Sequence, residues 1–418
     1  MDKLSKIIEY FLYVFLFMLP WQTRYILHSG TINNSYLEYL SISLYVSDLI
    51  LFVILGLFAF LIIRSKHERR MKLGYLVILG IFEAFILLSL LNASSLSLSL
   101  YKYIIFILGV GLFFIISQFN YNKIKLIYSF LSGLALSCLL GLWQFFTQSA
   151  FACKYLGLAS HAPEILGDSV VSNIFGRFLR PYGSFDHPNI FGAVAVLGVI
   201  LSIYLLIKQQ SKNSFWHYCF LILFSWSVFL SFSKSAYLAL LLGLLIIFFA
   251  YRRDYKNIFN YNRIMALILG LSCLVIILQI YPLVRNRFIL ENSLESKSFS
   301  ERVDYTKQAL LISKNNYFLG EGIGNYNLAA VKLSPNLPAW SYQPVHNFFL
   351  LISSELGFFA LATFIFFLYL LMKRKRNIWS WALFLPLLIF MLFDHWLWTL
   401  HFGILYSWLQ LGLIEKEL

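Results

Sequence analysis

Long runs of apolar residues, separated by short stretches rich in lysine and arginine, limit most strongly what this chain can fold into. Each run has roughly 18 to 25 residues, the length of helix that crosses a hydrocarbon core of about 30 Å. Of the 418 residues, 60% are hydrophobic and only 12% are charged, too few polar side chains for the surface of a soluble domain. We therefore predict an all-α polytopic membrane protein, with residues 1–418 forming a single integral membrane domain.

The apolar runs predict about twelve transmembrane helices. They lie at about residues 7–21, 40–63, 73–92, 100–118, 126–147, 188–207, 215–232, 235–250, 264–281, 346–371, 379–394 and 398–413. With both termini in the cytoplasm, the cytoplasmic segments carry 20 of the 33 lysines and arginines, as the positive-inside rule requires. The net charge of +14 is explained by this topology, so we predict no nucleic-acid partner.

Two long segments, at about 148–187 and 282–345, fall on the outer side and are candidates for function. In the second, Ser298–Glu301 has the pattern of a capping box, and apolar residues follow it at helical spacing. This pattern predicts an amphipathic surface helix of about 15 residues with Arg302 in its first turn. The glycines of Gly320–Gly324 then provide flexible backbone.

Polar residues that could perform chemistry gather at the outer ends of the predicted spans. Arg180–Asn189 leads into the sixth span, Ser233–Ser235 forms the turn after the seventh, and His346–Asn347 opens the tenth. Asp394–His395, in the turn between the last two spans, is a second acid/base candidate. The outer segments contain no Asp-x-Asp cluster, so the sequence predicts no metal site.

Taken in chain order, these pieces resemble the O-antigen ligase/polymerase family of membrane glycosyltransferases. The motifs that carry the resemblance are Ser233-Lys234-Ser235, Arg302, Gly320-Glu321-Gly322-Ile323-Gly324, His346-Asn347-Phe348-Phe349-Leu350 and Glu355-Leu356-Gly357, preceded by Arg180–Asn189. They cover about residues 175–360, the predicted ligase/polymerase-like core. Lys234 stands where the family more usually has an arginine, which keeps the charge but loses the planar guanidinium.

The resemblance implies transfer of a glycan from a polyprenyl-diphosphate carrier to a hydroxyl of a glycan, lipid or protein acceptor. The reaction would be inverting, would need no metal or cofactor, and would face outward from the bacterial cytoplasmic (inner) membrane. His346 would be the catalytic base, and Arg180, Arg302 and Lys234 would bind the diphosphate. The supporting residues would be His187, Asn189, Asn347, Glu355, Gly322 and Gly324.

Several of these residues also have a purely structural interpretation. His187 is suited to the turn before a helix, and Asn189 and Asn347 to the capping of helix starts. Glu355 follows His346 by nine residues on the opposite face of the predicted helix, so it cannot orient His346 and could instead pack between helices. The glycines could serve only the backbone.

Three other functions stay open. A polymerase would use the same donor and transfer the glycan to another repeat unit. A transporter or flippase would use charges inside the spans, such as Asp48, Glu83 and Glu355, as a relay. A structural membrane protein would have no convergent site. The position of the arginine, histidine and glycine clusters at the outer ends, rather than at mid-membrane, favours the enzyme over the transporter.

Overall fold

The computed structural model describes residues 3–65, 73–173, 176–209, 214–252, 263–288 and 293–417, and it is mainly helical. The helices are α1 (Lys3–Met18), α2 (Val46–Ser65), α3 (Leu73–Ser89), α4 (Leu96–Gln118), α5 (Lys123–Thr147), α6 (Pro188–Lys208), α7 (Ser214–Leu230), α8 (Lys234–Tyr251), α9 (Arg263–Phe288), α10 (Ser293–Asn315), α11 (Tyr326–Leu333), α12 (Phe348–Leu356), α13 (Phe358–Met372), α14 (Ile378–Phe393), α15 (Trp396–Thr399) and α16 (His401–Lys416). Single 3-10 turns lie at Glu38–Leu40, Leu90–Asn92 and Ala339–Ser341.

Short antiparallel strand pairs occur in the connecting segments. They are β1 (Arg24–His28) with β4 (Ile42–Tyr45), β2 (Thr31–Ile32) with β3 (Ser35–Tyr36), and β5 (Val170–Asn173) with β6 (Gly176–Leu179). In the first pair Arg24 lies opposite Tyr45.

Among the described residues, six helices are long and apolar enough to cross a membrane, namely α2 to α6 and α8. Three shorter ones, α7, α13 and α14, are apolar throughout. The prediction of an all-α membrane architecture is therefore confirmed. The count of about twelve spans stays a prediction.

The second predicted span, 40–63, was wrong at its beginning. Residues Ile42–Tyr45 form strand β4, and the helix begins only at Val46. A hydropathy average cannot distinguish an apolar strand from an apolar helix, and β4 is held extended by its pairing with β1. The first turn of α2 is then fixed by Asp48, which accepts a hydrogen bond from the backbone N–H of Tyr45.

The tenth predicted span, 346–371, is two helices rather than one. In a straight helix the rings of Phe348 and Phe364 would lie about 24 Å apart, yet their centroids are 5.3 Å apart. The chain therefore reverses direction at Gly357, which has a φ of +84°. A Cβ there would stand 2.2 Å from the carbonyl oxygen of Phe318, so only glycine fits.

The surface helix was predicted in the correct segment but with the wrong beginning. Helix α10 has 23 residues and begins at Ser293, before the predicted capping box. Ser298, the capping residue of the predicted box, therefore lies inside the helix rather than at its end. Good helix formers precede the box, so the helix continues through it, and Arg302 lies in the third turn instead of the first.

Helix α16 begins beside strand β4 and the start of α2, where a buried pair fixes it. His401 Nε2 lies 2.6 Å from Asp48 Oδ1, and its ring stacks on that of Tyr45 at 3.7 Å. Further along, α16 lies close to α4 because Gly109 leaves room for the ring of Trp408. These contacts fix the start of α16, which follows Asp394–His395 closely in the chain, against the start of α2.

Candidate active site

Asp394 is the centre of a buried hydrogen-bond network at the end of α14. Its Oδ1 lies 3.3 Å from His346 Nδ1 and accepts the backbone N–H of His395 at 2.9 Å. Its Oδ2 accepts the side-chain amide of Asn189 at 3.2 Å. The side chain of Asp394 is 7% exposed and that of His346 is 25% exposed. We call His346, Asp394 and His395 the histidine–aspartate centre; within it, the accessible imidazole is oriented by the buried carboxylate.

The electrostatics of the centre favour an ionised Asp394 beside a neutral His395. Burial raises the pKa of Asp394, but the hydrogen bond with His346, the neighbouring imidazoles and the Arg302 guanidinium outweigh it, and the net shift is well below the usual range. Burial lowers the pKa of His395 to about 3, and the nearby positive charges act in the same direction. Asp394 therefore carries a negative charge and His395 none at neutral pH.

Arg302, on helix α10, is near enough to the histidine–aspartate centre for its charge to lower the pKa of both Asp394 and His395. Helix α10 therefore brings a cation close to a site that contains an anion and two imidazoles.

Arg180 is buried, 4% exposed, and connects two parts of the site. Its Nε donates to the carbonyl oxygen of Ser231 at 2.9 Å, and its Nη2 donates to Asn189 Oδ1 at 2.7 Å. Asn189 in turn donates to Asp394. The exposed Lys234 follows Ser231 closely and begins helix α8. Arg180 thus holds the turn that carries Lys234, and it contributes its charge from a buried position.

His187 has the capping role that its position before a helix suggests. It is the N-cap of α6, and its Nδ1 accepts the backbone N–H of Asn189 at 3.0 Å. Its Nε2 lies 2.9 Å from the Ser169 hydroxyl. Burial, followed by the charge of Arg180, lowers its pKa well below the usual value, so the ring is neutral. His187 therefore positions Asn189 in the network.

Asn347 also caps a helix and joins two elements of the site. Its Oδ1 accepts the backbone N–H of Leu350 at the start of α12, and its Nδ2 donates to the carbonyl oxygen of Leu392 near the end of α14. His346 directly precedes Asn347, and Asp394 follows Leu392 by two positions. The cap therefore fixes the spacing between the imidazole and the carboxylate.

Glu355 fastens the glycine segment to the helices around the site. Its carboxylate accepts the backbone N–H of Gly324 at 2.8 Å, that of Tyr326 at 3.3 Å and the indole N–H of Trp398 at 2.7 Å. Its carbonyl oxygen accepts the N–H of Gly322. Both glycines have positive φ, +91° at Gly322 and +78° at Gly324. The structural interpretation of Glu355 and the glycines fits these contacts, since the group that orients His346 is Asp394.

Lys102 was not predicted as a site residue. It is buried in α4, and its ammonium group donates to the carbonyl oxygen of Thr399 at 2.6 Å. The hydroxyl of Thr399 lies 2.9 Å from His395 Nδ1, so Lys102 supports the turn that carries His395. The sequence signal that could have identified Lys102 is its charge, which stands inside an apolar run.

The histidine–aspartate centre has the composition of a metal site, although the sequence predicted none. One ligand atom from each of its three residues lies within 4.8 Å of the others. However, both carboxylate oxygens of Asp394 already accept hydrogen bonds, and His395 Nδ1 is engaged by Thr399. The charge of Arg302 also disfavours a cation there. The arrangement fits a hydrogen-bonded acid/base pair better than a metal centre.

Residues 219–365 match the family model described as O-antigen ligase. This segment belongs to the O-antigen ligase family. The match is narrower than the predicted core of 175–360. It contains Lys234, Arg302, Gly322, Gly324, His346, Asn347 and Glu355, whereas Arg180, His187, Asn189 and Asp394 lie outside it. No curated protein matches the chain. Its apolar helices indicate that the chain is a multi-pass membrane protein, and the segment 219–365 within it is similar to O-antigen ligases.

Proposed function

We propose that this chain is a glycosyltransferase of the O-antigen ligase type. It takes a glycan from a polyprenyl-diphosphate carrier and joins it to an acceptor hydroxyl at the outer face of the bacterial cytoplasmic membrane. The observation that carries the proposal is the accessible His346, held by the buried Asp394 next to Arg302, in a chain whose segment 219–365 matches the ligase family.

His346 is suited to the role of general base for the acceptor. With Nδ1–H donating to the Asp394 carboxylate, Nε2 carries the lone pair that accepts the hydroxyl proton. The 3.3 Å separation is long, as catalytic hydrogen bonds often are before substrate binds. Asp394 is the positioning residue that fixes the tautomer of His346 and stabilises the imidazolium that forms.

The transfer is a single displacement with inversion. The acceptor oxygen forms a bond to the anomeric carbon as its proton passes to His346 Nε2, and the bond from that carbon to the diphosphate oxygen breaks with its electron pair. Arg302 stabilises the negative charge that develops on the diphosphate, supported by the buried charge of Arg180 and by Lys234. These cations replace the divalent metal that many diphosphate-dependent enzymes use.

The proposed orientation places both termini in the cytoplasm and the histidine–aspartate centre outside. It rests on the distribution of lysine and arginine, which are concentrated in the segments on one side of the predicted spans. A donor assembled on a lipid carrier would then meet the centre at the outer surface.

A transporter is less well supported. The three acidic residues that could form a relay each have a different partner: Asp48 pairs with His401, Glu83 accepts from the Tyr103 hydroxyl, and Glu355 binds backbone and indole N–H groups. A relay needs acidic groups that exchange protons along one path.

The test is incubation of the detergent-purified chain with a polyprenyl-diphosphate glycan and candidate acceptors, followed by product analysis. Transfer of the intact glycan to a lipid or protein-linked acceptor supports the ligase. Products that grow by whole repeat units on another donor molecule identify a polymerase with the same chemistry. No covalent product with any acceptor, together with movement of the donor across liposomes, would replace the proposal by a flippase.

A further inference from the structure

An apolar groove with a volume of about 580 Å³ lies between helices α13 and α14. Its floor is formed by buried side chains, Leu368 and Met372 of α13 and Phe384 of α14. Its two rims include Ile365 of α13 and Trp381 of α14, which are 48% and 37% exposed. The volume is within the range of about 300–1,000 Å³ found for small-molecule sites. The proposed reaction leaves this groove without a role.

The length of the groove confines it to one leaflet of the bilayer. Along α13 it extends from Ile365 to Lys373, which corresponds to about 12 Å of helix. This is less than half of a hydrocarbon core that is about 30 Å thick. The end at Lys373 adjoins the basic turn Lys373–Arg376, which the positive-inside rule places in the cytoplasm. In the proposed orientation, the groove therefore faces the acyl chains of the cytoplasmic leaflet.

The end of the groove at Lys373, which we call its mouth, has the side chains of a membrane–water boundary. The ammonium group of Lys373 lies 5.4 Å from the centroid of the Tyr369 ring. On the other rim, the indole N–H of Trp381 donates to the carbonyl oxygen of Lys375 at 3.1 Å. Tyrosine and tryptophan are enriched at the level of the lipid headgroups. The mouth therefore lies where a phospholipid would place its phosphate.

The charge of the basic turn is only partly compensated by carboxylates of the protein. Lys375 is buried and pairs with Glu415 at 3.0 Å and with Glu417 at 3.1 Å. The other three basic residues of the turn are exposed, namely Lys373, Arg374 and Arg376. Within the described ranges of the chain, no carboxylate forms an ion pair with them. An anionic group at the mouth would therefore meet cations that the protein itself leaves uncompensated.

These features together favour an anionic phospholipid over other occupants. An acyl chain in the groove gains dispersion contacts with its floor and both rims, which a free phosphate cannot make. The headgroup of phosphatidylcholine carries an amine whose positive charge the basic turn repels. A polyprenyl-diphosphate donor with its diphosphate at the histidine–aspartate centre could place only its tail in the groove, and the cations at the mouth would then meet no anion.

We propose that this groove is a binding site for an anionic phospholipid of the cytoplasmic leaflet. One acyl chain lies between α13 and α14, and the phosphate lies at the mouth, next to Lys373, Arg374 and Arg376. The site is separate from the histidine–aspartate centre, so the proposal goes beyond the proposed function and does not depend on it.

The test measures lipid binding to the detergent-purified full-length chain by native mass spectrometry, after the melting temperature has shown that each variant is folded. The probes are phosphatidylglycerol, phosphatidylcholine with the same acyl chains, glycerol 1-phosphate as a headgroup without chains, and a polyprenyl phosphate. Lys373→Gln removes a cation from the mouth, and Ile365→Trp fills the groove from its exposed rim. The matched controls are Lys208→Gln and Ile81→Trp, at exposed positions of α6 and α3 that do not line the groove.

We expect one phosphatidylglycerol to bind the parent chain at least about tenfold more tightly than phosphatidylcholine, without competition from glycerol 1-phosphate. Lys373→Gln should weaken phosphatidylglycerol binding about fivefold, the contribution of one basic residue near a lipid phosphate, and should leave phosphatidylcholine binding unchanged. Ile365→Trp should weaken the binding of both lipids at least about tenfold, because the acyl chain loses its space. Both control variants should bind like the parent.

Four results would overturn the proposal. The first is equal binding of the two phospholipids to the parent, and the second is equal binding of phosphatidylglycerol to Ile365→Trp and Ile81→Trp. Third, competition by glycerol 1-phosphate would indicate a phosphate site that does not use the groove. Fourth, a polyprenyl phosphate that displaces phosphatidylglycerol, and whose own binding is lost in Ile365→Trp but not in Lys373→Gln, would assign the groove to the tail of the donor.

Discussion

At the scale of single residues, the site depends on a contact between side chains that are far apart in the chain. His346 and Asp394 are 48 positions apart and are brought together by the ends of α12 and α14. Asn347 controls their spacing through its bonds to both helices. His346, Asp394 and Asn347 therefore have different roles. We expect their substitutions to differ in their effects on donor binding and on the rate of transfer.

Replacing His346 by alanine should slow glycan transfer by roughly 10²- to 10⁴-fold, the usual contribution of a general base. Donor affinity should change little, because the imidazole acts on the acceptor. The measurement is single-turnover transfer and donor binding on folded, purified protein. His28→Ala, at an exposed position of strand β1, is the matched control. Transfer at the parent rate would remove His346 as the base and direct attention to His395 and His187.

Replacing Asp394 by asparagine should slow transfer because the imidazole loses the group that fixes its tautomer. The effect should be strongly non-additive with that of His346. We expect the double variant, His346→Ala with Asp394→Asn, to be no more than about threefold slower than His346→Ala alone. The full cycle of single-turnover rates measures this. Independent, multiplying effects would mean that Asp394 does not act through His346.

Replacing Arg302 by alanine should weaken donor binding and also slow transfer, because the charge acts on the bound diphosphate and on the departing one. Arg302→Lys should restore only part of both, since the charge returns without the bidentate guanidinium. Donor affinity and rate are compared with those of Lys307→Ala, a control at an exposed position of the same helix. Complete recovery by lysine would show that charge alone suffices.

The sequence suggested candidate site residues but not the contacts between them. Arg302 and His346 became candidates through motif resemblance and their predicted position at the ends of spans. The partner of His346 could not be chosen, because Asp394 lies in another span and only packing of α12 against α14 makes the contact. Lys102 was missed because its role depends on reaching Thr399, which is distant in sequence.

At the scale of elements, the glycine segment before α11 and the short helix α15 are held by one carboxylate. Glu355→Gln leaves one oxygen for the N–H groups of Gly324, Tyr326 and Trp398 and adds an unwanted donor. We expect a loss of about 1–3 kcal/mol in the free energy of unfolding and slower transfer. Thermal unfolding measures the first and single-turnover kinetics the second.

Glu83→Gln is the control for this substitution, because the Glu83 carboxylate accepts a single hydrogen bond from the Tyr103 hydroxyl in a less buried position. Its melting temperature should fall less. If Glu355→Gln were as stable as Glu83→Gln and transferred glycan normally, the carboxylate would not be the group that holds the glycine segment in place.

Local patterns predicted the elements unevenly. The predicted spans 188–207 and 235–250 begin at, or within one residue of, the starts of α6 and α8, because Pro188 and the N-cap Ser233 act within one turn. The capping box in α10 was misleading, since the same residues fit inside a helix. The reversal at Gly357 was missed because the residues on both sides of it are apolar, and hydropathy does not report direction.

At the scale of the whole molecule, the proposed chemistry is independent of metals. Activity should survive strong chelation, because both carboxylate oxygens of Asp394 already accept hydrogen bonds and Arg302 supplies the positive charge. Transfer is measured before and after dialysis against EDTA. Loss of activity that zinc, manganese or magnesium restores would show that the histidine–aspartate centre holds a cation.

The reversal at Gly357 also bears on the access of water. Because α12 runs back along α13, the non-helical chain that ends at His346 lies beside the middle of an apolar helix rather than beyond its end. Irregular backbone at such a level is tolerated only where protein encloses it or a water-filled recess solvates it. The side chain of His346 is 25% exposed, so water can reach it. A base that water can reach will also activate water, and the enzyme would slowly hydrolyse its own donor whenever no acceptor is bound.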